Sequence, residues 1–218
     1  MVSATKYGLV LIASLCLSVS ASLAQVPVPS TDLSTIPSGD YRLDPTHVSI
    51  VFSISHYGFS QLTGTFDRIE GELEFNAHVP IDSRLRIAVD ASSADANNEM
   101  LETLLASQEF LDADAYPEII FQSNNIDVTG PASGQITGML TIRGMSHPVS
   151  LDATLNGYGT NGLTLQRTLG FSATTTLSRA QWGMTAFPTM LGDEIFLRIE
   201  VEFLKRNFGT EDDDSVFD

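Results

Sequence analysis

The sequence predicts an all-β domain of about eight antiparallel strands, with one short helix between strands three and four. Apolar and polar residues alternate along most of the chain, as they do in strands with one buried and one wet face. Turn residues separate these alternating stretches. Closure of the sheet into a barrel would remove its exposed edges, and a two-sheet sandwich is the alternative fold.

The first two predicted strands lie within residues 41–75. Their inward residues are Val48, Ile50, Phe52 and Ile54 in the first, and Ile69, Gly71, Leu73 and Phe75 in the second. The same alternation predicts six more strands, over residues 83–91, 117–128, 133–143, 149–158, 168–178 and 194–203. Residues 98–112 instead place apolar side chains at helical spacing, and Asn97 or Asn98 is a suitable N-cap.

The chain divides into four parts. Residues 1–24 contain Lys6, an apolar run over 9–19 and the small residues that end at Ala24, which predicts a signal peptide cleaved after Ala24. The run is short for a membrane span, so export without a stable membrane anchor is expected. Residues 25–39 predict a flexible linker, residues 40–206 the barrel domain, and residues 207–218 an acidic disordered tail.

Composition narrows the classes of partner. The chain has 27 acidic and 11 basic residues and a formal net charge of −16, which argues against a nucleic-acid partner because phosphates attract Lys and Arg. The single cysteine, Cys16, lies in the predicted signal peptide, so the exported chain would have no thiolate for a metal. The four histidines are far apart in the sequence. We therefore predict no metal site, no catalytic residue and no cofactor.

Two features of the predicted inner face bear on function. His56 follows Ile54 by strand parity onto the apolar face, where a histidine is a hydrogen-bonded core residue or a catalytic base. Small residues stand among the bulky ones on the same face, namely Gly71, Gly138, Ala91, Ala153 and Ala173. Such a mixture leaves room for a long, thin apolar ligand, although it also fills a tapered barrel.

Ordered motifs over about residues 40–204 resemble the YceI-like family of polyisoprenoid-binding proteins. They are Y-x-L-D-P-x-H at 41–47, G-T-F at 64–66, F-L-D at 110–112, I-R-G-M-S-H-P at 142–148, R-x-x-W-G-M at 179–184 and G-D-E-I at 192–195. The resemblance implies an eight-stranded lipocalin-like antiparallel barrel with an apolar pore, a periplasmic location and often homodimers. Many relatives carry Asp-x-His-Leu in the helix, where this chain has Glu102-Thr103-Leu104-Leu105, which makes that end of the pore more apolar.

The sequence and the resemblance together predict a protein that carries or sequesters a long apolar isoprenoid-type lipid, such as a polyprenyl chain or a quinone. Residues predicted to line the pore are Phe52, Ile54, His56, Phe66, Phe75, Leu101, Leu104, Leu105, Phe121, Leu140, Phe171 and Trp182. Arg179 and Asp193 are predicted contacts at its mouth. The alternatives are a lipid-modifying enzyme that uses His56, and a structural barrel without a ligand.

Overall fold

The structure, a computed structural model, describes residues 28–206. The predicted signal peptide and acidic tail lie outside this range. The strands are β1 Gly39–His56, β2 Ser60–Phe66, β3 Ile69–Phe75, β4 Arg84–Asp90, β5 Ala94–Asp95, β6 Glu118–Val128, β7 Ser133–Ile142, β8 Met145–Thr160, β9 Arg167–Ser178 and β10 Leu191–Lys205.

These strands form a closed antiparallel barrel. The sheet runs β10-β9-β8-β7-β6-β4-β3-β1, and β10 also pairs with β1, which closes the ring. Strands β2 and β3 occupy one position in the wall, because β3 pairs with residues 39–42 of β1 and β2 with residues 51–56. The two-residue β5 pairs with β2. The predicted eight-stranded barrel is therefore confirmed.

Strand β3 shows why the sequence folds this way. Its residues alternate strictly between buried and exposed, with Ile69, Leu73 and Phe75 inside and the glutamates outside. In a strand this alternation sends every second side chain to the same face, and burying that apolar face drives the barrel to close around it. The glutamates on the outer face remain exposed to solvent, so their charges are not desolvated.

The predicted helix is present but short. Helix α1 spans Glu99–Ala106, between the third and fourth strands of the barrel wall. The Asn98 side chain accepts hydrogen bonds from the N–H groups of Met100 and Leu101, at 3.0 and 3.3 Å, and the Glu102 carboxylate accepts one from the N–H of Asn98 at 3.0 Å. These reciprocal bonds satisfy donors that a helix N-terminus otherwise leaves free.

The segment before β1 packs against one end of the barrel. Its described part, residues 28–38, contains a short 3-10 helix at Leu33–Thr35. Ser30 pairs with Tyr158 of β8, and Ile36 is buried among core residues. The Tyr41 hydroxyl donates to the carbonyl of Pro37 at 2.6 Å. The sequence predicts a flexible linker over residues 25–39, and this part of it covers the barrel end instead.

Within residues 28–206, no helix has both the length and the apolar character needed to cross a membrane.

Candidate functional site: an apolar cavity in the barrel

The barrel is hollow. It holds a cavity of about 330 Å³ that extends from residues near β4 to α1 and the start of β10. The lining is apolar except for four side chains, which belong to Thr63, Ser83, Thr175 and Arg179. A concave site of this size with few polar groups is typical of small-ligand pockets, and the hydrophobic effect would be the main source of affinity for whatever enters it.

The burial of the inward side chains reflects this hollow interior. Phe52 of β1, Phe171 of β9 and Ile195, Leu197 and Ile199 of β10 line the cavity but are only half-buried. In a filled core such residues would be fully packed. Their remaining exposed surface faces the cavity, where a ligand could cover it.

Most of the predicted site residues, which include the predicted mouth contact Arg179, line this cavity. They are Phe52, Ile54, Phe66, Phe75, Leu101, Leu104, Leu105, Phe121, Leu140, Phe171 and Arg179. They come from β1, β2, β3, α1, β6, β7, β9 and the 3-10 helix after β9, so the closed topology is what brings them together. Contact between these residues and a ligand stays a prediction. His56, Trp182 and Asp193 do not line the cavity.

His56 is the last residue of β1 and faces an irregular part of β10. The pairing of β1 with β10 shifts between Ile54, which pairs with Ile195, and His56, which pairs with Leu191. The two extra residues lie in β10, whereas β1 pairs regularly with β2 up to the pair His56–Ser60, so His56 lies at the end of the wall and not beside the cavity. Its ring contacts the Tyr57 ring edge-to-face, with centroids 4.8 Å apart, and no carboxylate in the described part of the chain forms an ion pair with it.

Trp182 is a core residue of the wall. It lies in the 3-10 helix Arg179–Trp182, where strand parity does not apply, and is 1% exposed. Its indole N–H donates to the carbonyl of Met145 at 3.0 Å, and its ring meets the His147 ring edge-to-face. Trp182 therefore fixes the helix to the β7–β8 hairpin instead of facing the cavity.

Arg179 faces the cavity but is held by backbone carbonyls. The guanidinium is 3% exposed. Nε donates to Gly192 O at 2.8 Å, Nη1 donates to Met184 O and Ala186 O at 2.6 and 2.8 Å, and Nη2 makes a longer bond to Leu191 O. These bonds fix the loop between Met184 and Gly192, in which Met184 and Leu191 line the cavity.

Asp193 lies on the surface and orders the start of the same 3-10 helix. Its carboxylate accepts hydrogen bonds from the Ser178 hydroxyl and from the N–H of Ala180. The bond from Ser178, then the bond from Ala180 and the positive charge of Arg179, lower the pKa of Asp193. The predicted ligand contact at the mouth is thus a local structural carboxylate in this structure.

The glycines of the inner face do not supply the open space. The Phe121 ring lies so close to Gly138 that an added Cβ would overlap it, and Ile87 covers Gly71 in the same way. Ala91 is fully buried, whereas Ala153 and Ala173 do line the cavity. The prediction that all five small residues leave room is therefore wrong for Gly71 and Gly138, because large neighbours pack over them, and for Ala91, which is buried in the core away from the cavity.

Several lining residues were not among the predicted site residues. They include Leu62, Leu85, Ile87, Leu191, Ile195, Leu197, Ile199 and Val201. Strand parity already places most of them inside, on β4 and β10. The signal was present, but alternation alone does not distinguish an inward residue in a packed layer from one that borders a hollow.

A cluster of polar side chains outside the cavity lies on β1, opposite β10. Four residues of β1, 44–47, face the single residue Glu202 of β10, between the pairs Leu43–Phe203 and Val48–Val201. His47 Nδ1 lies 2.9 Å from Asp44 Oδ2, and the Thr46 hydroxyl donates to Asp44 Oδ1. Asp44, His47 and Glu202 are the one group among the described residues in which three candidate metal-ligating side chains have ligand atoms within 4.8 Å of one another. The absence of a metal site stays a prediction.

The Asp44–His47 contact should make stability depend on pH. The hydrogen bond between His47 and Asp44 raises the pKa of His47, and desolvation lowers that pKa by a smaller amount. Burial works to raise the pKa of Asp44, but hydrogen bonds from Thr46 and His47 outweigh it, and the pKa is lowered. The contribution of protonated His47 to the free energy of unfolding is complete below the unfolded-state pKa of about 6.5. The contribution of ionised Asp44 is complete above the unfolded-state pKa of about 3.9.

We therefore expect the stability difference between wild type and His47→Gln to be largest between about pH 4 and 6.5. This stability difference should shrink as the pH rises through the pKa of His47 in the folded protein. It should also shrink as the pH falls through the pKa of Asp44 in the folded protein. Thermal unfolding from pH 3 to 9 measures this, with His78→Gln at an exposed site as the control. A difference that does not change with pH would contradict the argument.

Comparison with known proteins identifies the family. The model of the YceI-like domain matches residues 41–203. The chain belongs to the YceI-like family. A UPF0312 protein of Pseudomonas putida is 32% identical to this YceI-like chain over 171 residues, which cover 78% of the chain and 88% of the relative. A UPF0312 protein of Vibrio parahaemolyticus is 30% identical over 165 residues, which cover 75% of this chain and 87% of the relative. The family resemblance is thereby confirmed.

Solved structures share the barrel of this YceI-like chain. The YceI protein of Campylobacter jejuni has a TM-score of 0.62 and 26% identity, and the match covers 68% of this chain and 88% of that one. BcnA of Burkholderia cenocepacia has a TM-score of 0.66 and 20% identity, with 73% and 98% covered. A polyisoprenoid binding domain from Saccharophagus degradans has a TM-score of 0.58 and 10% identity, with 76% and 98% covered. The last two similarities show the fold alone.

Proposed function

We propose that this protein binds a long apolar isoprenoid-type lipid, such as a polyprenyl chain or the side chain of a quinone, inside the barrel. The observation that carries the proposal is the hollow, almost wholly apolar cavity. Membership of the YceI-like family supports it, as does the shared fold of a solved polyisoprenoid binding domain. Each buried CH₂ group would contribute about 0.8 kcal/mol, which favours long and slender ligands.

The proposed role is carriage or sequestration, not catalysis. Four polar side chains border the cavity. Arg179 donates hydrogen bonds to backbone carbonyls, and Thr63, Ser83 and Thr175 each carry a hydroxyl group. The enzyme alternative needs His56 beside a bound lipid and a carboxylate, and neither arrangement is found among the described residues. The pattern at residues 1–24 supports action in the periplasm after export.

Extraction of the purified protein with organic solvent, followed by mass spectrometry, tests the proposal. We expect an isoprenoid lipid at near-stoichiometric amount, or stoichiometric uptake of added geranylgeraniol by protein that was purified empty. A protein that carries no such lipid and takes none up would be the structural barrel without a ligand, and the proposal would fail.

A matched pair of variants tests whether the ligand lies in the barrel. Thr175 lines the cavity, whereas its neighbour Thr176 is exposed on the outer face of β9. Thr175→Trp should fill part of the cavity and weaken lipid binding by about tenfold or more, since the indole takes the volume of several CH₂ groups. Thr176→Trp adds the same group outside and should bind like wild type. Equal affinities in a titration with geranylgeraniol would place the ligand elsewhere.

A further inference from the structure

One end of the barrel exposes apolar side chains to solvent. Phe59 is 90% exposed, Met100 79%, Tyr57 50% and Phe187 38%. They come from the β1–β2 turn, from α1 and from the loop that precedes β10. We call these four residues the rim. Large exposed apolar side chains gathered in one place usually mark a surface that meets another apolar surface.

The rim is connected to the cavity by direct contacts. The N–H of Tyr57 donates to the carbonyl of Met190 at 2.7 Å, which joins the β1–β2 turn to the loop before β10. In that loop the Phe187 ring stacks on the ring of Phe110, with centroids 6.2 Å apart. Phe110 is itself part of the cavity lining, as is Leu101 beside Met100. The apolar surface therefore continues from the interior to the solvent.

The charge pattern around the rim limits the kind of partner. Two of the three rim segments, residues 45–66 and 180–192, contain no Asp, Glu, Lys or Arg in a chain with a net charge of −16, whereas Met100 in the third segment stands between Glu99 and Glu102. The two uncharged segments, which carry the three aromatic rings of the rim, can leave water without the cost of desolvating ions. The nearest acidic residues along the chain include Asp67, Glu99 and Asp193, and they would repel an anionic membrane. Aromatic side chains such as Tyr57 and Phe59 are well suited to the interface of a bilayer.

We infer that the rim docks the protein on a neutral, zwitterionic lipid surface. This inference rests on the proposed function, since docking at this end would let an apolar lipid pass between bilayer and cavity without crossing water. The contact would be transient, because four side chains bury far less apolar surface than a membrane-spanning segment.

The test is flotation of the protein with phosphatidylcholine vesicles. The double variant Phe59→Glu with Phe187→Glu should partition about tenfold or more weakly than wild type, because burying even one Phe is worth about that factor. The matched control is Leu163→Glu with Leu165→Glu, in the turn between β8 and β9 at the opposite end of the barrel. Its two leucines are 95% and 76% exposed, and it should bind like wild type.

Three flotation results would overturn the inference, and a change of oligomeric state is a fourth. The flotation results are wild-type protein that does not float, a rim variant that floats as well as wild type, and a control variant that loses as much as the rim variant. A rim variant that only converts a dimer into a monomer would assign the surface to a second copy of the chain and would also overturn it. Vesicles with added phosphatidylglycerol should bind less well than pure phosphatidylcholine.

Uptake of geranylgeraniol from cyclodextrin separates this inference from the proposed function. The single variant Phe59→Glu is expected to take up the lipid to the same final amount as wild type, because Phe59 is 90% exposed and does not line the cavity. Wild-type protein that floats but takes up no lipid would reject the proposed function and leave the docking surface standing. Wild-type protein that takes up lipid but does not float would do the reverse.

Discussion

Replacement of Arg179 by Met should lower the free energy of unfolding by about 3–5 kcal/mol, because it removes a buried cation that donates to one buried and three part-buried carbonyls at once. The guanidinium is 3% exposed, and three of its bonds to Gly192, Met184 and Ala186 are 2.8 Å or shorter. Methionine matches much of the lost volume but donates nothing. Urea unfolding of wild type and variant measures the difference.

Arg143→Met is the matched control for this change. Arg143 also donates to two backbone carbonyls, those of Gly183 and Gln108, each at 3.0 Å. Gly183 and Gln108 are exposed, so water can replace the lost donor and the expected loss is about 1 kcal/mol or less. Losses of equal size in the two variants would contradict the view that burial of Arg179 sets its importance.

Replacement of Trp182 by Ala should cost about 3–5 kcal/mol of stability, the range for removing a large buried aromatic side chain. The indole is 1% exposed and belongs to the larger core cluster with Leu140, Leu177 and Met184. Urea unfolding again measures the loss. Phe196→Ala is the control, since that ring is 45% exposed on the outside of β10 and its removal should change stability by about 0.5 kcal/mol or little more.

Trp182→Phe then separates packing from ligand contact. The variant keeps a ring in the core but leaves the Met145 carbonyl without its donor, at a cost of about 1 kcal/mol, since Met145 is 37% exposed and water can replace the donor. Because Trp182 does not line the cavity, the folded variant should take up geranylgeraniol like wild type. A large loss of affinity would show that the indole reaches the ligand, as the sequence-based prediction holds.

The carbonyls around Arg179 also link stability to the site. Met184 and Leu191, whose carbonyls Arg179 binds, both line the cavity. Weakening that loop should therefore loosen one end of the cavity as well as the fold. Arg179 is thus better understood as a residue that positions the lining than as a contact for a ligand head group.

Strand alternation was enough to predict the wall of this barrel. Residues such as Ile54, Phe75 and Leu140 could be placed inside from their neighbours alone, because direction in a strand repeats every second residue. The helix cap at Asn98 was also predictable, since its side chain needs only the next turn of backbone. Both features depend on contacts that are close in sequence.

The same rule failed where the chain departs from regular strand. His56 ends β1 opposite an irregular part of β10, Trp182 lies in a 3-10 helix, and Gly138 is covered by Phe121 of the neighbouring strand. No local pattern reports these arrangements. Each depends on residues far away in the chain, such as Leu191 beside His56 and Met145 beside Trp182.

The sequence by itself therefore determined the family, the eight positions of the barrel wall and the apolar character of the interior, because these follow from local periodicity and ordered motifs; the short strands β2 and β5 appear only in the structure. Only the tertiary structure decided that the interior is hollow, that Arg179 is satisfied by carbonyls and that Phe59 and Phe187 surround one end. Cavities and hydrogen-bond networks depend on how distant side chains meet, and packing in three dimensions, not the pattern along one strand, sets those contacts.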